Sequence, residues 1–194
     1  MRFPRHILQS GLLALALLSA CSSTPTTHYY VLDAIKADEQ PRATLAATAA
    51  IMLDVEIPHY LDRPGMVSRD QSNQLHLAEY HQWGGHLRDN IARVLADNLS
   101  TRLASAEIYI VPMPDDVKPD ASLSVNIRTF ERMPDGHVHL SAQWRFTARG
   151  RKTQSHFEEL IGDHVVGEQG YAAMVTEMDA LLARFSSQVA QTML

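Results

Sequence analysis

Val138, Leu140, Ala142, Trp144, Phe146 and Ala148 alternate with His139, Ser141, Gln143, Arg145 and Thr147. A helix cannot gather residues two apart on one side, whereas a strand does so by its geometry. This stretch is therefore a half-buried β-strand whose apolar face requires a covering layer. Leu123, Val125 and Ile127 alternate in the same way just upstream. Between the two runs, Met133-Pro134-Asp135-Gly136 supplies a proline with preset φ and a glycine for a left-handed position, so a hairpin is predicted. Arg149-Gly150-Arg151 turns the chain again into a strand from Gln154 to Leu160. Three strands in succession predict a meander.

The remaining elements can be placed around that meander. Tyr29-Tyr30-Val31-Leu32 is β-rich and reads as a first strand. Lys36 to Thr48 has no clear period and reads as a loop or a weak helix. Ile51, Leu53, Val55 and Ile57 alternate up to Pro58, which ends that strand. Pro58 to Gly65, with two prolines and a glycine, followed by Met66-Val67-Ser68-Arg69, reads as a stiff, shaped loop. Leu75 and Leu77 suggest a short strand after it. From Trp83 or His86 to Ala104 the period becomes helical, with Leu87, Ile91, Val94, Leu95, Leu99 and Leu103 on one stripe. A strand from Ile108 to Val111 is closed off by Pro112 and Pro114. A second amphipathic helix, carrying Tyr171, Met174, Met178, Leu181, Phe185 and Val189, starts near Glu168 and runs to the chain end. The expected fold is α+β, with a mainly antiparallel sheet covered by two amphipathic helices.

The N-terminus has a different character. A short basic start (Arg2, Arg5, His6) precedes an apolar run from Ile7 to Leu18, and Leu18-Ser19-Ala20-Cys21 follows. Residues 1–20 read as a secretory signal peptide, too short and too one-sided for a spanning helix. Cys21 is the only cysteine, so no intrachain disulfide can form. Its position after small residues resembles a bacterial lipobox, which implies that Cys21 becomes the acylated N-terminus. Each buried methylene contributes about 0.8 kcal/mol, and stable anchoring takes more than one chain. Residues 21–28 form the lipidated cysteine and a short polar tether, and residues 29–194 a single periplasmic domain. The seven residues from Ser22 to His28 reach at most about 25 Å. Loss of the leader leaves 15 basic against 22 acidic residues, a formal charge of −7. That balance argues against nucleic acid as a partner, since such binding needs a basic face.

Three stretches in order then resemble a known family. They are Tyr29-Tyr30-x-Leu32, then Val55-x-Ile57-Pro58-x-Tyr60-Leu61-x-Arg63-Pro64-x-Met66-Val67-x-Arg69, then Leu77, Glu79, Trp83, Leu87, Ile91, Val94-Leu95-Ala96 and Asn98-Leu99. Together they are similar to the ABC-type transport auxiliary lipoproteins of the PqiC-like kind. The resemblance implies a non-enzymatic component of an envelope lipid-transport system, anchored at the periplasmic face of the outer membrane. It also implies an MCE-domain, periplasm-spanning partner. Ser22 after the cysteine, where an aspartate would favour retention at the inner membrane, implies passage to the outer one. A ring of several copies would give cargo a central path. No cofactor is implied beyond the covalent lipid on Cys21.

Candidate partner-binding residues are Tyr60, Arg63, Arg69 and Trp83; in the Ile57–Arg69 loop, Tyr60 and Arg63 are residue types enriched at interface hot spots. The plainer reading of the same loop is that its tyrosine packs on the body and its arginines pair locally. Gly84-Gly85 after Trp83 weakens a helix start there. The ten histidines, with His137 and His139 on one strand face, show no spacing that converges four ligands, so no metal site is expected. There is no Gly-x-Ser-x-Gly elbow and no P-loop, and the expectation is that the chain is not an enzyme. Arg145, Arg149, Arg151 and Lys152 gather at one hairpin tip, which reads either as a contact for lipid phosphates or an acidic partner or as a solvated edge. The methionines of the last helix read as core or as a lipid groove. An alternative of another class is a structural envelope lipoprotein that binds peptidoglycan or assists outer-membrane assembly; a third, a periplasmic hydrolase, would need a clustered Ser/His/Asp or metal geometry.

Overall fold

The computed structural model describes residues 25–34, 49–103 and 106–193. The segment read as a signal peptide, Cys21 and the Lys36–Thr48 segment lie outside these residues. In chain order the described elements are β1 (His28–Tyr30), β2 (Ala49–Glu56), β3 (Gly65–Arg69), β4 (Leu75–Trp83), α1 (Leu87–Arg102), β5 (Ala106–Ile110), β6 (Ala121–Arg132), β7 (Val138–Ala148), β8 (Gln154–Ile161) and α2 (Tyr171–Met193). All the strands join one sheet.

β6 organises that sheet. β7 pairs antiparallel along its whole length, from Ala121↔Ala148 to Arg132↔Val138, and β8 continues the meander. The hairpin forms at the expected turn. The Gly136 amide donates to the Met133 carbonyl at 2.9 Å, and Gly136 has φ of 84°, a conformation that side chains disfavour. The other edge of β6 is shared by two strands placed end to end. β2 pairs parallel from Ala121 to Asn126, and β3 touches only at Arg132, through Ser68. β5 extends the sheet beyond β2, and β4 then β1 extend it beyond β3.

The sheet is thus mixed, not mainly antiparallel. The β1–β4, β2–β5, β2–β6 and β3–β6 pairings are parallel, and only β3–β4, β6–β7 and β7–β8 are antiparallel. Antiparallel neighbours are joined by short turns that leave a signature in the chain, whereas parallel neighbours need crossovers such as the one through α1. The α+β layering and the two covering helices are as expected.

The apolar face of the meander meets both helices. Leu123, Val125, Leu140, Ala142 and Trp144 lie under Ile91, Leu95, Leu99, Leu181, Leu182 and Phe185, each of them at most 1% exposed. A register shift between Ile127 and Thr129 inserts Arg128 as an extra residue. That bulge reverses the alternation, so Phe130 rather than Thr129 enters the core. Trp83 ends β4 and is 4% exposed, and α1 begins only at Leu87, after the glycine pair. Met66 to Arg69, read as loop, are in β3, and β4 is longer than the Leu75–Leu77 signal suggested. β4 shows no clean alternation because much of it is exposed and because a bulge between Leu77 and Gln82 reverses its faces. Gly65 fits there because a Cβ would lie 2.6 Å from the Ala78 carbonyl oxygen.

Candidate functional site

Because β2 and β3 sit end to end, a stretch of the β6 edge between Asn126 and Arg132 has no strand beside it. The Ile57–Pro64 connection fills this notch. Its turn is held by the Leu61 amide donating to the Pro58 carbonyl at 2.9 Å, with Leu61 itself buried. Its far end is fixed where the Trp83 amide donates to the Pro64 carbonyl at 2.7 Å. Proline at both ends limits the conformations the unfolded loop can sample, which favours this single shape.

At the floor of the notch lies Glu131, which has no exposed surface. Tyr60 donates its hydroxyl to the two carboxylate oxygens at 3.1 and 3.0 Å. Arg69 donates to Glu131 Oε1 from Nη2 at 2.8 Å and from Nε at 3.2 Å. The Phe130 amide donates to Oε2 at 3.1 Å. The Arg69 guanidinium also lies 5.7 Å from the Tyr60 ring centre. A buried carboxylate persists only when cation and donors surround it, and here they do. Burial first, then the charge and hydrogen bond of Glu131, push the Tyr60 hydroxyl up to about 12. The hydrogen bond from Arg69 to Glu131 raises the guanidinium further above its already high range. Tyr60 therefore stays a neutral donor at physiological pH and is not poised as a base or nucleophile. The cluster ties the loop and β3 to β6.

The four predicted contact residues thus separate. Tyr60 and Arg69 turn toward Glu131, Trp83 is in the core, and Arg63 stands exposed on the loop. On the open face of the sheet a groove of about 610 Å³ runs beside the loop past Glu56, His59, Asp62 and Arg88. A second, of about 330 Å³, shares Glu56, Asn126 and Arg128 with it. Arg128 lies over the Phe157 ring at 5.7 Å and donates to Gln143 Oε1 at 3.2 Å. Alternating acids and arginines suit recognition of a polar protein surface more than enclosure of an acyl chain.

The chain enters the domain through a second cluster. Arg93 of α1 donates to the Leu32 carbonyl, and the Asp33 amide donates to Asp179 Oδ1 of α2 at 2.9 Å. Burial pushes the Asp179 carboxyl up to about 6, against the opposing hydrogen bond from Asp33 and the charge of Arg93. Both helices therefore grip the segment that follows β1.

Residues 30–190 match the family described as the ABC-type transport auxiliary lipoprotein component. The chain belongs to that family. Over 175 residues the auxiliary lipoprotein is 25% identical to the intermembrane transport lipoprotein PqiC of Escherichia coli (strain K12), covering 90% of each chain. The PqiC of Shigella flexneri matches to the same extent. Among solved structures, an uncharacterized protein superposes with a TM-score of 0.66 at 23% identity, covering 88% of this chain and 100% of the other. A Xanthomonas campestris protein superposes at 0.57 with 11% identity, covering 84% and 92%. These two likenesses carry the fold alone.

The other sequence candidates of the auxiliary lipoprotein are also placed. His137 Nδ1 faces the Gly162 carbonyl at 2.8 Å, while His139 Nε2 faces Asp135 at 2.8 Å, so the two do not converge. Among the described residues no group of three or more His, Cys, Asp or Glu is arranged to hold a metal ion. Also among them, no helix is long and apolar enough to cross a membrane. Arg145, Arg149, Arg151 and Lys152 are exposed, and Arg151 donates to the Met193 carbonyl at 2.7 Å. Met174, Met178 and Met193 of α2 are buried in the core. Glu131, the centre of the notch, was missed by the sequence reading. Nothing in Thr129-Phe130-Glu131 distinguishes it from a solvated strand end, and only the bulge and the loop bury it.

Proposed function

We propose that this auxiliary lipoprotein is acylated at Cys21 and held at the periplasmic face of the outer membrane. There it docks a periplasm-spanning MCE-type partner of an intermembrane lipid-transport system. It acts without catalysis, as a membrane-side receptor, and several copies form a ring around the path of the cargo. The observation that carries this reading is the similarity, across nine-tenths of both chains, to relatives named as intermembrane transport lipoproteins. The leader and Cys21 in the sequence support the anchor. The proline-bounded loop with Arg63 exposed on it, beside a groove of mixed charge, supports a docking role. A preorganised loop loses little conformational entropy on binding.

The test is affinity purification of the lipidated protein from detergent-solubilised envelopes. An MCE-domain protein should co-elute, and its yield should fall when Arg63 is reversed in charge. Elution without any MCE-domain protein, or sedimentation with purified cell wall instead, would overturn the reading.

A further inference from the structure

Four large apolar side chains stand exposed on one wing of the sheet: Tyr29 (67%), Val31 (51%), Leu75 (37%) and Leu77 (50%). They share a face. His28 and Tyr30 stack against His81 at 5.2 and 5.8 Å, and His81 stacks against Tyr171 of α2 at 4.0 Å. Tyr29 and Val31, alternating with them, point away from α2. Arg69 reaches Glu131 on the open side of the sheet; Leu75 is its cross-strand partner and Leu77 that of Val67, so both leucines share that side.

We propose that this wing is a membrane-contact surface, with Leu75, Leu77 and Tyr29 seated in the lipid interface beside the anchor. The inference rests on the reading that Cys21 is acylated. Because β1 and β4 run parallel, with His28 opposite His81, the chain before β1 runs back toward the Leu77 end of β4. Gln82 pairs with Gly65 and Leu77 with Val67, so a bulge in β4 packs five residues against two of β3; Leu77 is thereby brought to about 7 Å from Gln82 along the sheet and onto the face opposite His81. The tether reaches at most about 25 Å from His28. A second exposed apolar set, Phe157, Ile161 and Val165, sits on and after β8. In the order β1-β4-β3-β6-β7-β8 it is five strand spacings away, about 24 Å at roughly 4.8 Å each. The β1–β4 wing therefore lies beside the point where the tether joins the domain, whereas the β8 set is reached only at nearly full extension, so the wing meets the bilayer first. Leucine suits the acyl boundary, and tyrosine suits the headgroup level with its apolar ring and polar tip. An acidic domain gains little from anionic headgroups, so apolar contact is the mode left to it.

Acylation occupies Cys21, so Leu77→Cys introduces a single reactive thiol into the mature, lipidated protein. The variant is labelled with an environment-sensitive fluorophore and reconstituted into phosphatidylethanolamine–phosphatidylglycerol vesicles carrying a nitroxide lipid. Emission should shift to the blue and be quenched by the nitroxide, as should that of Tyr29→Cys. Phe157→Cys should remain unshifted and unquenched. If the protein floats with the vesicles while the labels at 77 and 29 report water, the inference fails and the anchor stands. Shielding that is insensitive to nitroxide lipid and lost on dilution would place a second copy on the wing, which also overturns it. Failure to float overturns the anchor reading, and this inference with it.

Discussion

Replacing Arg69 by methionine keeps much of the apolar length of the side chain and removes the cation facing Glu131. The wild-type carboxylate is fully buried and receives two hydrogen bonds from the guanidinium, at 2.8 and 3.2 Å. Without them it keeps only the Tyr60 hydroxyl and the Phe130 amide as donors. Removing one partner of a buried ion pair typically costs about 3–5 kcal/mol, because the remaining charge stays desolvated. Arg69 is itself 24% exposed, which places the expected loss at the lower end, about 3 kcal/mol. For a domain of this size that is a fall in Tm of roughly 6–12 °C. Urea unfolding followed by circular dichroism should show a lower midpoint with an unchanged slope. The double variant R69M/E131M, which removes both charges, should recover much of the loss, giving a coupling energy well outside additivity. A single variant within about 1 kcal/mol of wild type would refute the reasoning that the cluster holds the loop. So would a double variant no better than the single one.

Three further outcomes follow from the same geometry. Asp179 has its folded-state pKa raised to about 6 from the ordinary 3.8, so the native state binds its proton more tightly than the unfolded chain. The associated stability is complete below about pH 4 and is lost as pH rises through about 6. Asp179→Asn, which keeps an acceptor for the Asp33 amide, should flatten that slope and raise stability at pH 7.5 by about 1–2 kcal/mol after allowance for partial solvent access, as read by urea titration at several pH values. Arg63→Glu should leave the urea midpoint within about 0.5 kcal/mol of wild type, as surface changes do, yet weaken capture of the MCE-type partner. Cys21→Ser should move the protein from the membrane to the soluble fraction on ultracentrifugation, because the lipid on that residue is the proposed anchor and no helix among the described residues is long and apolar enough to span the bilayer.

How much was legible depended on how local the cause was. The β6–β7 hairpin was readable because both strands alternate cleanly and the glycine at 136 marks its turn. Both helices were readable because their stripes are long and apolar, although the glycine pair before His86 delayed the first and Gly170 stands just ahead of the second. β4 was mostly missed, since an exposed wing need not alternate. Of the loop candidates, Tyr60 and Arg69 follow the plainer reading of local packing and pairing, while Arg63 is the one left exposed. Trp83 was a candidate contact residue, but its place at the end of β4 puts it in the core.

What the chain by itself determined is everything encoded at short range: alternation, turn chemistry, helical stripes, and an apolar run followed by a solitary cysteine. Which strands become parallel neighbours was decided only in three dimensions, by crossovers whose partners lie dozens of residues apart. The same holds for Glu131. An acid at the end of a strand is ordinary until a bulge, a proline-bounded loop and a second strand close over it, and its burial then makes Tyr60 and Arg69 its obligatory partners.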